Sequence, residues 1–267
     1  MAKPFSARFS GLQALLGFDN WPMLVLGRLF DRKTGMVIYR KNGLEILVDH
    51  HGGDENGTRQ CIVSDMYSKY LPGFNLRGSV SVLDLGANGG GFPLMLKVQG
   101  VAVGRAACVE LNPMTYLRLG LNLASNFGSS AVAINAGVCS WPEGSEIQLA
   151  SVRGSTMTSI SEDRPDSAIP LVSVSTTTLD SLYKRYFNDG FIDICKIDIE
   201  GAEYEILEST PDDVLQKIRY ILVELHDPVR TPAYLKRIGA LGFTEVTVPE
   251  DRRTDDKYVA AFRGPAA

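Results

Sequence analysis

The chain has 267 residues, of which 45% are hydrophobic and 22% are charged. These values are ordinary for a globular protein and predict one large domain, or one domain with an appended segment. The formal net charge is −4 and the isoelectric point is near 5.5. Because proteins that bind nucleic acids usually carry a basic excess, this balance argues against a nucleic-acid partner.

Cysteine usage and targeting signals favour the cytoplasm. The four cysteines are scattered and have neither metal-binding nor redox spacing. With three histidines in the chain, a zinc site built from cysteine and histidine is not expected. The N-terminus lacks the basic region, apolar core and cleavage site of a signal peptide, and no transmembrane segment is predicted. We therefore expect a soluble, cytoplasmic protein.

Residues 1–78 are predicted to form an N-terminal extension with a helix, a β-hairpin, a loop and a second helix. The apolar stretch 21–30 favours a helix packed on the domain, although a membrane-surface contact or a homodimer contact fits the same pattern. The Asn-Gly pair at 42–43 separates two apolar runs and predicts a tight hairpin, because both residues tolerate positive φ angles. A polar loop over 49–59 and a helix over 62–71 complete the extension.

The remainder of the chain, residues 79–267, alternates between strand-like and helix-like segments. Strands are predicted over 80–85, 106–110, 131–135, 191–199, 220–226, 244–248 and 257–262. Helices are predicted over 92–98, 112–124, 178–187 and 231–242, with another beginning at Thr210. The polar segment 147–175 is expected to form a strand pair around a loop. Because strands that alternate with helices pair in parallel through right-handed crossovers, we predict an α/β, doubly wound sheet.

A glycine-rich turn carries the strongest functional signal, in the segment VLDLGANGGG (82–91). An apolar strand leads into the turn and a helix follows, and doubly wound sheets bind ligands at the carboxyl ends of their strands. Glycines let the backbone approach a ligand, and the helix N-terminus offers unpaired N–H groups. Asp84 suits a ligand with an ammonium group, such as a methionine moiety. The predicted ligand contacts in this segment are Asp84, Gly86, Ala87, Asn88 and Gly89.

Two further strand ends extend the predicted cofactor site. Glu110, followed by Leu111, closes the next strand, where a carboxylate can accept hydrogen bonds from both ribose hydroxyls of a nucleoside. A solvated acid at a strand end is the alternative interpretation of Glu110. The loop of Asn135, Ala136 and Gly137 closes the third strand and is expected beside the adenine.

Six segments of the chain occur together in one order: VLDLGANGG (82–90), VELNP (109–113), INAGV (134–138), TLDSL (178–182), KIDIEGAEYEIL (196–207) and ILVELH (221–226). In these segments the chain resembles the FkbM family of methyltransferases, over about residues 60–248. The resemblance implies a Rossmann-like class I methyltransferase sheet of seven strands, mostly parallel, with an antiparallel last strand. It also implies S-adenosyl-L-methionine as cofactor, S-adenosyl-L-homocysteine as product, and O-methylation of a sugar, glycolipid or natural-product small molecule.

Titratable side chains alternate at the ends of two predicted strands. Asp198 and Glu200 end the fourth strand, Glu224 and His226 end the fifth, and side chains two apart share a face. An alcohol acceptor must lose a proton, and the ordinary pKa of histidine, about 6.5, makes His226 the candidate general base. Asp198 is expected to orient the acceptor or the cofactor's amino group. Glu200 and Glu224 are expected to shape the acceptor pocket or to orient His226.

A purely structural interpretation of the same residues is an ion-pair network that also includes Lys196. An Mg²⁺ site from Asp198, Glu200 and Glu224 is chemically possible, because hard cations prefer oxygen ligands, but no metal is expected. The acceptor pocket is predicted to come from 49–70 and 153–166. Tyr67, Tyr70 and Arg153 are its candidate lining residues.

Two other functions compete with methyl transfer to a small-molecule or glycan acceptor. One is a non-catalytic protein that uses the same fold as a binding scaffold. The other is a nicotinamide-dependent oxidoreductase. Asn88 argues against the oxidoreductase, because it stands where a dinucleotide-binding turn has its second glycine, and so does the acid at Asp84.

Overall fold

The computed structural model describes residues 14–30, 35–150, 171–199, 201–248 and 258–267. Its strands are β1 (Met36–Lys41), β2 (Leu44–Asp49), β3 (Val80–Leu85), β4 (Val103–Glu110), β5 (Ala131–Asn135), β6 (Gly137–Val138), β7 (Glu146–Ala150), β8 (Leu171–Thr177), β9 (Ile192–Ile197), β10 (Ile218–Leu225), β11 (Thr244–Glu245) and β12 (Tyr258–Arg263). Its α-helices are α1 (Trp21–Phe30), α2 (Gln60–Val63), α3 (Gly91–Val98), α4 (Pro113–Phe127), α5 (Leu179–Phe187), α6 (Glu203–Ser209), α7 (Asp212–Leu215) and α8 (Thr231–Ala240). Within the described ranges, no helix is long and apolar enough to cross a membrane.

Seven strands form one sheet, in the order β11-β12-β10-β9-β3-β4-β5. The five strands from β10 to β5 pair in parallel, and β12 pairs antiparallel with both of its neighbours. This confirms the predicted doubly wound, mostly parallel sheet with an antiparallel last strand. The chain moves outward from β3 through β4 to β5 and then returns to β9 on the other side of β3. That reversal creates a crevice at the carboxyl ends of β3 and β9, where doubly wound sheets bind ligands.

Side-chain alternation along the central strands divides the core into two layers. On β3, Leu83 and Leu85 pack with residues of α5, α6 and α8 on one face of the sheet. Val80 and Val82 face the other layer, where residues of the N-terminal extension pack together with α3 and α4. Since period-two alternation continues along each strand, polar residues in register with Val82 point toward the extension.

The extension is attached to α4 by two asparagines at helical spacing. The Asn122 amide donates to the Leu47 carbonyl at 3.0 Å and accepts from the Leu47 N–H at 2.7 Å. Asn126 makes the same pair of bonds with Glu45, at 2.7 and 3.1 Å. These amides satisfy the backbone of β2 along the edge that β1 does not cover, so the hairpin is docked through specific polar contacts.

Several local predictions are confirmed. The β1–β2 hairpin turns at Asn42 and Gly43, with φ angles of 49° and 80°. Asn112 caps α4 by accepting from the N–H groups of Met114 and Thr115, with Pro113 in the first turn of the helix. The strands predicted within 147–175 form the antiparallel β7–β8 pair, and the segment between them lies outside the described residues.

Two local predictions are wrong, and one helix was missed. The helix predicted over 62–71 is broken into α2 and a 3-10 helix over Ser68–Gly73, because Ser64 is extended, with φ −95° and ψ 167°. The loop predicted over 49–59 ends in a π-helical turn, Glu55–Arg59. The helix predicted from Thr210 is present as the short α7, whereas the sequence prediction missed α6, which precedes it.

Candidate active site

The glycine turn after β3 is held by its own strand neighbours. The N–H groups of Gly86 and Ala87 both donate to the Val109 carbonyl, at 3.0 and 2.9 Å. Asn88 adopts a left-handed conformation with a φ of 50°, and its N–H donates to Glu110 Oε2 at 2.9 Å. The Gly89 N–H donates to Thr58 Oγ1 at 2.9 Å. The extension therefore occupies the N–H group of Gly89, and the contact of this residue with a ligand stays a prediction.

Gly86 allows the turn to touch the end of β9. Its φ is +74°, and a Cβ at this position would lie 1.8 Å from the Asp198 carbonyl oxygen. Only glycine fits such an approach. The predicted cofactor turn and the predicted catalytic strand end are therefore in direct backbone contact.

Asp84 lies beneath the turn. Its side chain is fully buried, and Oδ1 is 3.3 Å from Lys196 Nζ on the adjacent strand β9. Lys196 Nζ also donates to the Gly86 carbonyl at 2.7 Å and lies 3.5 Å from Asp198 Oδ2. Burial lowers the pKa of Lys196, but the carboxylates of Asp84 and then Asp198 raise it by more, so the ammonium group stays charged. The Asp84 carboxylate therefore pairs with Lys196, and its contact with a ligand stays a prediction.

Glu110 stands at the carboxyl end of β4 and is partly exposed. Its Oε1 accepts from the Asn112 N–H at 2.8 Å, and its Oε2 accepts from the Asn88 N–H. Burial raises the pKa of Glu110 to about 7, against the opposing effect of the hydrogen bonds from Asn112 and Asn88. The two backbone donors fix the orientation of the carboxylate next to the glycine turn.

The loop after β5 packs against the same strand end. The Asn135 side-chain amide donates to the carbonyls of Glu110 and Leu111, at 2.8 and 3.0 Å. Ala136 and Gly137 are buried behind it, and the Ala136 N–H lies 3.3 Å from the Glu110 carbonyl. The N–H₂ group of Asn135 thus binds the backbone, and the position of this loop beside the adenine stays a prediction.

Asp198, Glu224 and Tyr67 meet at the carboxyl ends of β9 and β10. The Tyr67 hydroxyl lies 3.2 Å from Asp198 Oδ2 and 3.4 Å from Glu224 Oε2, and it donates to both carboxylates. Burial, followed by the charges of Asp198 and Glu224, raises the pKa of Tyr67 well above its ordinary value. The hydroxyl therefore stays protonated and acts as a donor. Tyr67 was predicted as a pocket residue, and the structure brings it to the carboxylate pair.

His226 lies beside the same carboxylates. Its Nε2 is 3.4 Å from Glu224 Oε1 and 3.9 Å from Asp198 Oδ1. On the other side of the ring, Nδ1 is 3.1 Å from Glu203 Oε1. Burial acts to raise the pKa of Glu203, but the hydrogen bonds from His226 outweigh it, and the pKa falls below its ordinary value. Three of the four residues singled out at these strand ends (Asp198, Glu224 and His226) thus lie together in the structure.

The structure adds one residue to this cluster and leaves others aside. Glu203 has no exposed surface and was missed as a partner of His226, although it lies within the KIDIEGAE segment. Tyr70 is fully buried and donates to the Val259 carbonyl at 2.8 Å, so it does not line the cluster. Glu200 and Arg153 lie outside the described residues.

The cluster also has the donor set of a cation site. The ligand atoms of Asp198, Glu224 and His226 all lie within 4.8 Å of one another. Carboxylate and imidazole groups at such spacing could hold a divalent cation.

Comparison with known proteins shows the family. The methyltransferase FkbM domain matches residues 84–243. Among solved structures, Trm5b from Pyrococcus abyssi is 14% identical, with 87% of this chain and 56% of that chain covered and a TM-score of 0.47. The precorrin-6y C5,15-methyltransferase from Geobacter metallireducens GS-15 is 12% identical, with 74% of this chain and 86% of that chain covered and a TM-score of 0.42. TrmK from M. capricolum, in complex with S-adenosyl-homocysteine, is 12% identical, with 76% of this chain and 70% of that chain covered and a TM-score of 0.45.

The chain spans just over half the length of the Trm5b chain that it matches. No curated protein matches it.

The seven-stranded order with antiparallel β12, together with the glycine-rich turn after β3, defines the fold class of the protein as the Rossmann-like class I methyltransferase sheet. Within that class, the matched domain covers more than half of the chain. The chain belongs to the FkbM methyltransferase family.

Proposed function

We propose that the protein transfers a methyl group from S-adenosylmethionine to a hydroxyl of a sugar, glycolipid or natural-product small molecule, and that His226 receives the proton. The observation that carries this proposal is the position of Asp198. Its backbone adjoins the Gly86 turn, and its carboxylate adjoins both Tyr67 and His226. One strand end therefore joins the proposed cofactor side of the site to a group that can accept a proton.

The proposed cofactor side fits a nucleoside. Glu110 offers a carboxylate whose two oxygens can each accept a hydrogen bond, which suits a ribose diol. Gly86 keeps the turn free of side-chain atoms next to Asp198. The residues proposed to hold the cofactor are Asp84 (through Lys196), Gly86, Ala87, Asn88, Gly89, Glu110, Leu111, Asn135, Ala136, Gly137 and Asp198. When bound, S-adenosylmethionine supplies an electrophilic methyl group on a sulfonium.

The proposed base is His226, because its two ring nitrogens have different partners. An ionised carboxylate can only accept hydrogen bonds, so the bond to Glu203 requires the proton on Nδ1. The neutral ring then carries its lone pair on Nε2, which faces Asp198 and Glu224. A hydroxyl acceptor held beside these carboxylates can pass its proton to Nε2, and Glu203 stabilises the imidazolium that forms.

The acceptor is proposed to be a small molecule or a glycan. Support comes from the carboxylates of Asp198 and Glu224, which can accept hydrogen bonds from the hydroxyls of a sugar or polyol. The net charge of −4 also favours a neutral acceptor over a polyanion. Tyr67 keeps the two carboxylates oriented by donating to both.

The proposal is tested with the full chain, S-adenosylmethionine carrying a deuterated methyl group, and a panel of sugars, glycolipids and hydroxylated natural products. Mass spectrometry should find the label on an oxygen of one acceptor. His226→Ala should lower turnover by about a hundredfold, the scale of a lost general base, and leave affinity for S-adenosylhomocysteine unchanged. Glu208→Ala, at an exposed position on α6, is the control.

Three results would contradict the proposal. Label on nitrogen or carbon would show another kind of acceptor. A fully active His226→Ala variant would place the base elsewhere. Binding of S-adenosylhomocysteine without any methylated product across the panel would favour the non-catalytic scaffold.

A further inference from the structure

Thr58 belongs to the extension, outside the matched domain, yet it touches the glycine turn. Its side chain is fully buried. Oγ1 donates to Asn88 Oδ1 at 2.9 Å and accepts from the Gly89 N–H at 2.9 Å. A single hydroxyl therefore bonds two consecutive residues of the turn, one as donor and one as acceptor.

The glycines of the turn accommodate this contact. A Cβ on Gly89 would lie 2.3 Å from Thr58 Oγ1, and a Cβ on Gly91 would lie 2.9 Å from the Thr58 backbone. Gly57, which precedes Thr58 in the extension, also packs closely on the turn, since a Cβ there would lie 2.4 Å from the Asn88 side chain. The absence of side chains at these positions is explained by the packing of the extension on the turn.

The contact is connected to the proposed ribose carboxylate through one residue. Thr58 fixes the side chain of Asn88, and the N–H of Asn88 donates to Glu110 Oε2. Asn88 holds a left-handed φ of 50°, a conformation that costs energy for any residue with a Cβ. Its side-chain bond to Thr58 helps to keep it there.

The segment that carries Thr58 is anchored to α4. The carboxylate of Asp54 accepts from Arg118 Nε at 2.7 Å and from Nη2 at 2.8 Å, and both side chains are buried. The Asp54 carbonyl accepts from the Arg59 N–H at 2.9 Å. Thr58 is thus presented to the turn by a short segment that is fixed at both ends.

We propose that Thr58 is a positioning residue of the cofactor site, through which the extension sets affinity for S-adenosylmethionine. Its hydroxyl holds Asn88 and Gly89 in the conformation that directs the Asn88 N–H to Glu110. This inference rests on the proposed cofactor site. It adds that the matched domain is incomplete as a cofactor site without residue 58.

The test compares Thr58→Val, which removes the hydroxyl at nearly constant volume, with Thr58→Ser, which keeps it. Affinity for S-adenosylhomocysteine is measured by calorimetry on the full chain. Thr58→Val should bind about tenfold more weakly, the scale of a lost buried hydrogen bond, and Thr58→Ser should restore most of the affinity. In turnover assays on Thr58→Val, the KM for S-adenosylmethionine should rise by a larger factor than the factor by which kcat falls.

Thr210→Val is the matched control, because Thr210 is also buried and its hydroxyl bonds the Ile206 carbonyl, away from the turn. Thr58→Val with wild-type affinity would overturn the inference alone. Thr58→Ser as weak as Thr58→Val would also overturn it, because affinity would then be lost although the hydroxyl is retained. A wild-type chain that does not bind S-adenosylhomocysteine would overturn the cofactor site and this inference with it.

Discussion

Glu203 accepts two hydrogen bonds from His226 on a single oxygen, Oε1: one from the backbone N–H and one from Nδ1, both at 3.1 Å. Its other oxygen accepts from the Gly201 N–H at 2.7 Å. Glu203 opens α6, while His226 directly follows β10, so the carboxylate ties a helix start to a strand end. Three contacts on one buried carboxylate fix both the position of His226 and the tautomer of its ring.

Replacing this carboxylate should impair His226 without removing it. We expect Glu203→Gln to lower turnover by about tenfold to a hundredfold, because the imidazolium that forms during proton transfer loses its ionic partner. The ring ¹⁵N chemical shifts report the tautomer directly. In the wild type, Nδ1 should carry the proton in the neutral ring, and in Glu203→Gln the two tautomers should mix.

The chain suits this measurement because it contains three histidines, so variants of His50 and His51 assign the remaining signals. Glu208→Gln, at an exposed position on the same helix, should change neither turnover nor the shifts. Equal turnover in Glu203→Gln and the wild type would mean that Glu203 only supports the fold.

A second prediction concerns the hydroxyl of Tyr67. Tyr67→Phe removes the donor shared by Asp198 and Glu224 but keeps the edge-to-face contact with Phe92, whose ring centroid is 5.7 Å away. We expect kcat to fall by about tenfold, in line with the loss of a hydrogen bond to a charged group, and the melting temperature to change little. Tyr70→Phe provides the comparison, because its hydroxyl bonds a carbonyl outside the cluster. If both variants retain wild-type kcat, the Tyr67 hydroxyl has no part in catalysis.

Features that depend on near neighbours in sequence could be predicted. The Asn-Gly pair set the β1–β2 turn, and Asn112 with Pro113 set the start of α4. The meeting of Asp198 with His226 followed from two parallel strands that end at the same edge of the sheet. In each case, local backbone preference or strand periodicity was sufficient.

Features that depend on contacts distant in sequence could not be predicted. Asp84 is paired with Lys196, which follows it by more than 100 residues. Nothing near Asp84 in the sequence indicates that its carboxylate has an ion-pair partner. The break at Ser64 and the docking of Thr58 on Gly89 likewise depend on how the extension packs against the sheet. Tertiary packing decides such positions, and local propensity is only a weak guide to them.

A third prediction is that cofactor affinity depends on pH through Glu110. The pKa of this carboxyl is about 7, and hydrogen bonds to an ionised acceptor are stronger than those to a neutral one. Affinity for S-adenosylhomocysteine should therefore rise with pH and level off above the pKa. Between pH 6 and pH 8 the gain should be about tenfold if only the ionised form binds the ribose.

Calorimetric titrations at several pH values across this window check the prediction. Glu110→Gln should bind more weakly at high pH and should lose the pH dependence, because the amide does not titrate in this range. A wild-type affinity that is flat across the window, or a dependence that survives in Glu110→Gln, would show that another group controls binding.

The last prediction separates two costs of adding a side chain to a glycine. Gly86 and Gly100 both have positive φ angles, +74° and +80°, but a Cβ would strike the Asp198 carbonyl at Gly86 and would meet nothing within 4 Å at Gly100. Gly100→Ala should therefore lower the free energy of unfolding by about 1–2 kcal/mol, the cost of a left-handed alanine. Gly86→Ala should cost more than about 4 kcal/mol, since the backbones of β3 and β9 must also move apart.

Urea denaturation of both variants measures the difference. Because the displaced backbone belongs to Asp198, any Gly86→Ala protein that folds should also lose turnover, whereas Gly100→Ala should retain it. Equal stability of the two variants would mean that the turn can shift away from Asp198 at little cost. The close contact between the glycine turn and the proposed catalytic strand end would then not be a requirement of the fold.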